Sequence, residues 1–203
     1  MVSWVTEFIQ SAGYPALALL MMIENLFPPI PSELIMPLGG YLAAQGEMNI
    51  MWAVVAGTIG SVAGALPVYW LGAKLGPDRL ERWADEHGRW LTISGEDIVK
   101  ARKFFERRGV PAIFLGRLVP GVRSVIALPA GASHMPMVKF LLATTVGAAV
   151  WAGALAAAGY LLGTRFREVS KWMDMAGWVV LGAILLWYLW RVVKHKGRKA
   201  RTA

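Results

Sequence analysis

Four ionisable side chains, Glu24, Glu33, Arg117 and Arg123, sit where the chain otherwise offers little but apolar residues. The two acids bracket the proline-rich run "ENLFPPIPSE", and the two arginines bracket "RLVPGVR". Arginine forks bind phosphate through paired hydrogen bonds and keep their charge at physiological pH. A carboxylate withdrawn from water beside an arginine can exchange a proton, because desolvation favours its neutral form and the cation its ionised form. These residue types suit an anion site that trades protons: the arginines take an anionic group while a proton neutralises an acid. Helix N-termini beginning after Pro31 and Arg123 would add donors for the same anion. Two plainer readings stay open at this point. The acids are solvated at a surface, or the four charges form a static pairing that staples two segments together.

The elements around these residues are apolar enough to decide the class. Of the 203 residues 56% are hydrophobic and 17% charged, unlike an ordinary soluble domain. Residues 48–73 and 140–164 carry no charged side chain. Each stretch exceeds the roughly 20 residues a helix needs to cross a hydrocarbon core of about 30 Å. A shorter third stretch, 175–193, is flanked or ended by Trp172, Trp187, Tyr188 and Trp190, with Arg191 placed to snorkel. The chain reads as an all-α integral membrane protein. A charge at bilayer depth costs at least about 2.5–3.5 kcal/mol, so four of them there require partners.

The sequence repeats itself. "GYPAL" at residues 13–17 returns as "GVPAI" at 109–113, and "NLFPPIPSELIMPLGG" at 25–40 returns as "RLVPGVRSVIALPAGA" at 117–132. Pro28 then aligns with Pro120, Pro37 with Pro129 and Gly39 with Gly131, and "YWLGAK" at 69–74 matches "YLLGTR" at 160–165. The turn residues Pro28, Pro31, Pro120 and Gly121 cannot continue a helix. Non-helical backbone at membrane depth survives where protein or a watery cavity covers it. The expected shape is a re-entrant hairpin in each copy, with arms at 14–23 and 34–44 in the first and 111–116 and 125–132 in the second. A hairpin adds no crossing, so each repeat holds one span and the copies must be inverted, with the acidic and basic tips meeting near the midplane.

The whole chain, 1–203, is expected to form one membrane domain. Repeat 1 covers 4–74 with hairpin 14–45, an amphipathic segment covers 75–108, and repeat 2 covers 104–165 with hairpin 110–133. A C-terminal transmembrane helix at 175–193 and a basic tail at 194–203 follow. The segment 75–108 reads as two short cytoplasmic surface helices, with Ser94 and Asp97 as a capping box and Gly109 as a stop. The net charge of +8 concentrates in such membrane-flanking segments, which suits anionic headgroups and a cytoplasmic C-terminus better than nucleic acid. The apolar N-terminal run lacks a basic leader and a small-residue cleavage site, so no removable signal peptide is expected. With no cysteine there is no disulfide or thiolate chemistry, and neither a cofactor nor a metal is expected. The Trp-rich apolar faces leave room for a homo-oligomer.

"ENLFPPIPSE", "FFERRG", "GRLVPGVR" and "ALPAG", spread over residues 13–163, resemble the bacterial DedA family of membrane proteins, which shares the VTT domain with eukaryotic lipid scramblases. The resemblance implies a multi-pass protein of the bacterial cytoplasmic membrane that transports lipid phosphates, with undecaprenyl phosphate the foremost cargo and protons as coupling ions. It carries the family's essential acidic pair onto Glu24 and Glu33 and its arginine pair onto Arg117 and Arg123. Several members place an Asp at a wider spacing where this chain has Glu33. Four alternatives compete with a flippase of undecaprenyl phosphate. They are a phosphatidylethanolamine flippase, an uncoupled scramblase, a phosphatase-like enzyme and a proton–cation antiporter. The arginines disfavour the antiporter, since a cation would meet fixed positive charge. An enzyme is not expected, because covalent phosphate chemistry needs a nucleophile and an acid/base partner and His134 stands alone near the apolar regions.

Overall fold

The computed structural model describes residues 2–26, 32–91, 109–119 and 122–163. Among these the regular structure is helical: α1 (Val2–Leu26), α2 (Ser32–Ala44), α3 (Ile50–Leu91), α4 (Val110–Arg117), α5 (Val122–Val125), α6 (Ala127–Ala132) and α7 (Met137–Leu162). Two stretches, Ile50–Pro77 and Met137–Leu162, are long and apolar enough to cross a membrane. The predicted turn residues Pro28, Pro31, Pro120 and Gly121 lie outside the described residues. So do 92–108 of the amphipathic segment, the C-terminal span 175–193 and the tail 194–203.

Two glycines set where the arms of the expected hairpins begin. Gly13 breaks α1 with φ 62 and ψ −136, and Gly109 precedes α4 with φ 51 and ψ −122. A side chain at such a positive φ would crowd the backbone, so glycine is the residue that turns here. In both copies a proline follows two positions later, within the first helical turn, where its missing N–H goes unneeded. Asn49 starts α3 by accepting the amides of Met51 at 2.9 Å and Trp52 at 3.4 Å on its side-chain oxygen. The Asn49 amide in turn donates to the Tyr14 hydroxyl at 2.8 Å, tying this corner to the start of the first arm.

The structure redraws three predicted boundaries. α1 runs on to Leu26, which puts Glu24 and Asn25 in its last helical turn and not in the proline loop. The outgoing arm of the second copy is two pieces, α5 and α6, because Pro129 has no N–H to offer the carbonyl of Val125, where α5 ends. The third sequence block also pairs differently. Gly72 lies inside α3, whereas Gly163 caps α7 with φ 46, and the break that ends the first span falls at Gly76, φ 70, with helix resuming to Leu91.

Packing crosses between the copies. α3 lies against α1 and α6, while α7 lies against α4 and α2, and α3 and α7 also touch. The contacts are made backbone to backbone through glycine. A Cβ at Gly40 would strike the Ala156 carbonyl, and one at Gly159 the Pro37 carbonyl. Between α3 and α6 the same holds for Gly72 against Leu128 and for Gly131 against Tyr69. Close approach through small residues is how apolar helices gain packing energy where lipid removes the hydrophobic drive. Two buried clusters result. One gathers Leu17, Met21, Met36, Leu42, Ala53 and Ala156, and the other Tyr69, Ile113, Ala127, Phe140 and Ala143. Val138, Leu142, Val146 and Val150, spaced four apart along α7, are exposed. An apolar stripe turned outward is the reverse of a soluble helix and suits lipid.

Candidate functional site

The four expected charges come from helix ends. Glu24 stands in the last turn of α1, where exposed carbonyls make an acid unwelcome, and Glu33 in the first turn of α2, where free amides favour one. Arg117 closes α4, in the favourable position for a cation, and Arg123 lies in α5. Glu24, Arg117 and Arg123 are 4%, 3% and 7% exposed, whereas the side chain of Glu33 is 38% exposed.

The acidic and basic segments meet. Arg123 Nη2 donates to Glu24 Oε1 and lies 4.0 Å from Glu33 Oε1, so one guanidinium faces both acids. Its central carbon also stands 5.5 Å from the centre of the Trp151 ring on α7, within cation–π range. Glu24, placed at the wrong end of its helix dipole and out of water, is held by this pairing.

The second arginine departs from the expected symmetry of two acids facing two bases. Arg117 interacts electrostatically with Arg123 and Glu24. Its Nε and Nη2 nevertheless lie buried without a hydrogen-bond partner. The reason is positional. Arg117 lies across α7 at Gly147, where a Cβ would come within 2.8 Å of the Arg117 Cβ, while Arg123 enters from α5 between the acids. Asn25, beside Glu24, is spent on packing: its amide donates to the Ser61 carbonyl on α3, next to the close contact of Gly64 with Met22.

His134 and Lys139 are not part of this group. They line a separate cavity of about 240 Å³ with Gly109, Val110, Ser133, Met135 and Pro136, on the far side of α4 in sequence from Arg117. Neither Trp151 nor Thr144 is among the residues expected from sequence. Trp151 had a signal, since tryptophan favours membrane interfaces and this one falls mid-span. Thr144, an ordinary residue of an apolar helix, had none.

Comparison with known proteins adds to this geometry. The family model described as VTT domain matches residues 30–161. An alkaline phosphatase-like protein of Lactococcus lactis subsp. cremoris is 39% identical over 196 residues, covering 95% of this chain and 92% of the relative. Undecaprenyl phosphate transporter A of Staphylococcus aureus is 28% identical over 197 residues, 97% of either chain. An uncharacterized membrane protein of Bacillus subtilis is 33% identical over 204 residues, 98% of this chain and 86% of the relative. No solved structure matches the chain.

Proposed function

The chain belongs to the VTT domain family, known also as DedA, and from that premise we propose that it carries a lipid phosphate across its membrane, with undecaprenyl phosphate as the cargo. Two relatives are named undecaprenyl phosphate transporter A, those of Staphylococcus aureus and Bacillus subtilis. The observation that carries the reading is the meeting of Arg123 with Glu24 and Glu33 beside a second buried arginine, at the ends of apolar helices. Two acids and two arginines balance to neutrality, so an arriving phosphate leaves the site with excess negative charge. A proton taken by Glu24 or Glu33 offsets part of that charge, which couples anion and proton movement through one polar group.

The architecture that serves this function is an inverted repeat of two re-entrant hairpins within a single membrane domain. The arm after Gly13 with α2 forms the first hairpin, and α4 with α5 and α6 the second. Support comes from the matched glycine breaks at Gly13 and Gly109 and from the exchange of packing, in which each long span lies against the outgoing arm of the other copy. The protein is multi-pass in the bacterial cytoplasmic membrane with its C-terminus cytoplasmic, and alternate opening of the two hairpins exposes the charges to either leaflet while the lipid tail stays in the bilayer.

The test is translocation in proteoliposomes holding undecaprenyl phosphate in one leaflet. Wild-type protein moves the lipid, and Glu24→Gln and Arg117→Ala stop it while the variants remain folded. Transport undiminished in both would overturn the proposal. An imposed pH gradient that accelerates movement supports proton coupling, whereas indifference to it and to headgroup marks an uncoupled scramblase. A second reading follows from the name alkaline phosphatase-like protein and from Ser124, buried next to Arg123. Release of inorganic phosphate by purified protein, lost in Ser124→Ala, would establish hydrolysis instead.

A further inference from the structure

The cavity of about 240 Å³ lies where α6 gives way to α7, and Val110, the first residue of α4, lines it too. Arg117 closes the other end of α4, roughly 10 Å along a helix that rises about 1.5 Å per residue. Ser133 ends α6, and two backbone bonds close that end: the His134 N–H donates to the Gly131 carbonyl at 2.9 Å and the Met135 N–H to the Ala130 carbonyl at 3.3 Å. This is the Schellman pattern, whose C′ residue is left-handed and most often glycine. Here the C′ residue is His134, at φ 51, the one non-glycine at positive φ among the described residues. Glycine would cap the helix with less crowding, so the imidazole is not what the cap requires. Tyr69 on α3 donates to the Met135 carbonyl and ties the corner down from a second side.

Lys139 lines the same cavity as His134 and Ser133. It lies in the first turn of α7, the end at which a helix dipole disfavours a cation, and it has no acidic partner among the described residues. None of the described residues that line the cavity is acidic. The space equals roughly eight waters at about 30 Å³ each, enough for a phosphate group with a small polar substituent and too little for hydrocarbon chains. Chains have a place outside it. Lys139, Leu142 and Val146 stand three and four apart, so they share one face of α7, exposed and continuous with Val138 and Val150. An apolar stripe that ends in a cation beside a polar cavity has the layout of a phospholipid, chains along the helix and headgroup at its end.

We propose that this cavity holds the headgroup of a resident acidic phospholipid, a phosphodiester whose chains lie along Val138, Leu142 and Val146. Lys139 supplies the opposite charge, and the Ser133 hydroxyl and the His134 imidazole donate hydrogen bonds to the phosphate oxygens. Imidazole carries an N–H in either protonation state, so it can donate in both. The lipid braces the start of α4 against the corner that leads into α7, joining both ends of the segment that bears Arg117 and Arg123. It is a bound lipid at the opposite end of α4 from Arg117, and the inference holds whatever cargo the protein carries.

The experiment follows the full chain, purified in detergent, after mixing with phosphatidylglycerol, phosphatidylcholine or inorganic phosphate. Native mass spectrometry reads the lipid retained, and thermal unfolding reads its effect on stability. Wild-type protein is expected to retain phosphatidylglycerol in preference to phosphatidylcholine and to unfold at a higher temperature with it. Lys139→Gln is expected to weaken that retention about tenfold and to remove the preference. His134→Gly separates the imidazole from the shape of the corner. Without lipid it is expected to unfold at or above the wild-type temperature, because glycine suits the C′ position, while its retention of phosphatidylglycerol falls. A histidine that serves the cap alone would give the reverse, lower stability with unchanged retention, and overturn the proposal. Equal retention of phosphatidylcholine by the wild type also overturns it. So does inorganic phosphate that matches phosphatidylglycerol in raising the unfolding temperature, since that marks a site for a free anion. Retention lost in Arg117→Lys and kept in Lys139→Gln would place the lipid at the transport site and overturn it as well.

Discussion

Arg123 reaches across 99 positions of sequence to donate a hydrogen bond to Glu24, joining the end of the first arm to the short helix α5. Both groups are buried, so neither can turn to water if its partner goes. Removing one member of such a pair costs about 3–5 kcal/mol because the survivor is left charged and alone. Arg123→Met is therefore expected to lower the thermal unfolding temperature of the protein in detergent sharply. Adding Glu24→Met to it is expected to recover most of that stability without recovering transport. A double variant as unstable as the single one would show that the pair is not what holds these ends together.

Gly147 and Gly153 lie on the same helix and separate positioning from stability. A methyl group at Gly147 meets the Arg117 stem at 2.8 Å, whereas one at Gly153 meets Val54 at an ordinary 4.0 Å. Gly153→Ala is expected to be neutral, or stabilising by about 0.5–1 kcal/mol through the helix propensity of alanine. Gly147→Ala is expected to displace Arg117 and reduce phosphate-lipid binding. Equal binding by the two variants would remove Gly147 from any part in positioning.

The glycine contacts between the copies predict a stability effect far from the charges. At Gly159 the obstacle to a methyl group is the backbone of Pro37, and at Gly131 it is that of Tyr69, neither of which can rotate away. Alanine at either position is expected to cost about 1–3 kcal/mol by forcing α7 from α2 or α3 from α6. Unfolding midpoints of Gly159→Ala and Gly131→Ala check this, and unchanged values would mean the helices pack less closely than described.

Gly13 and Gly109 should respond alike, for a different reason. Neither has a heavy atom within 4 Å of the position a Cβ would take, so space is not limiting. Both sit at positive φ with strongly negative ψ, outside the left-handed helical well, where an L side chain costs about 1–3 kcal/mol. Gly13→Ala and Gly109→Ala are expected to destabilise by similar amounts in thermal unfolding. Tolerance of one and not the other would break the equivalence of the two copies.

Much of the architecture was legible in the residues because its causes are local. The two spans, Ile50–Pro77 and Met137–Leu162, follow from uninterrupted apolar stretches, and the helix starts near Tyr14 and Val110 follow from a glycine that admits positive φ and a proline that suits a first turn. Four charges in apolar surroundings also announced that they needed partners, since isolated charge at that depth is costly. Local signals misled where the cause was less direct. Helix α1 continues past Ile23 because, after Pro15 in the first turn of the arm, the next proline comes only at Pro28, and the "YWLGAK" and "YLLGTR" blocks look alike although Gly72 is a contact inside a helix and Gly163 an end.

Sequence alone determined that this chain is helical, apolar and furnished with one acidic and one basic pair, because residue type decides how each segment meets lipid and where each helix must stop. Which arginine would answer which acid was not decided at that level. Both arginines have the same charge and much the same spacing from a proline turn, so nothing local tells them apart. The tertiary structure gives Arg123 to Glu24, Glu33 and Trp151, and lays Arg117 across Gly147 with a buried edge unengaged, because only the packing of α4 and α5 against α7 fixes where each side chain can reach.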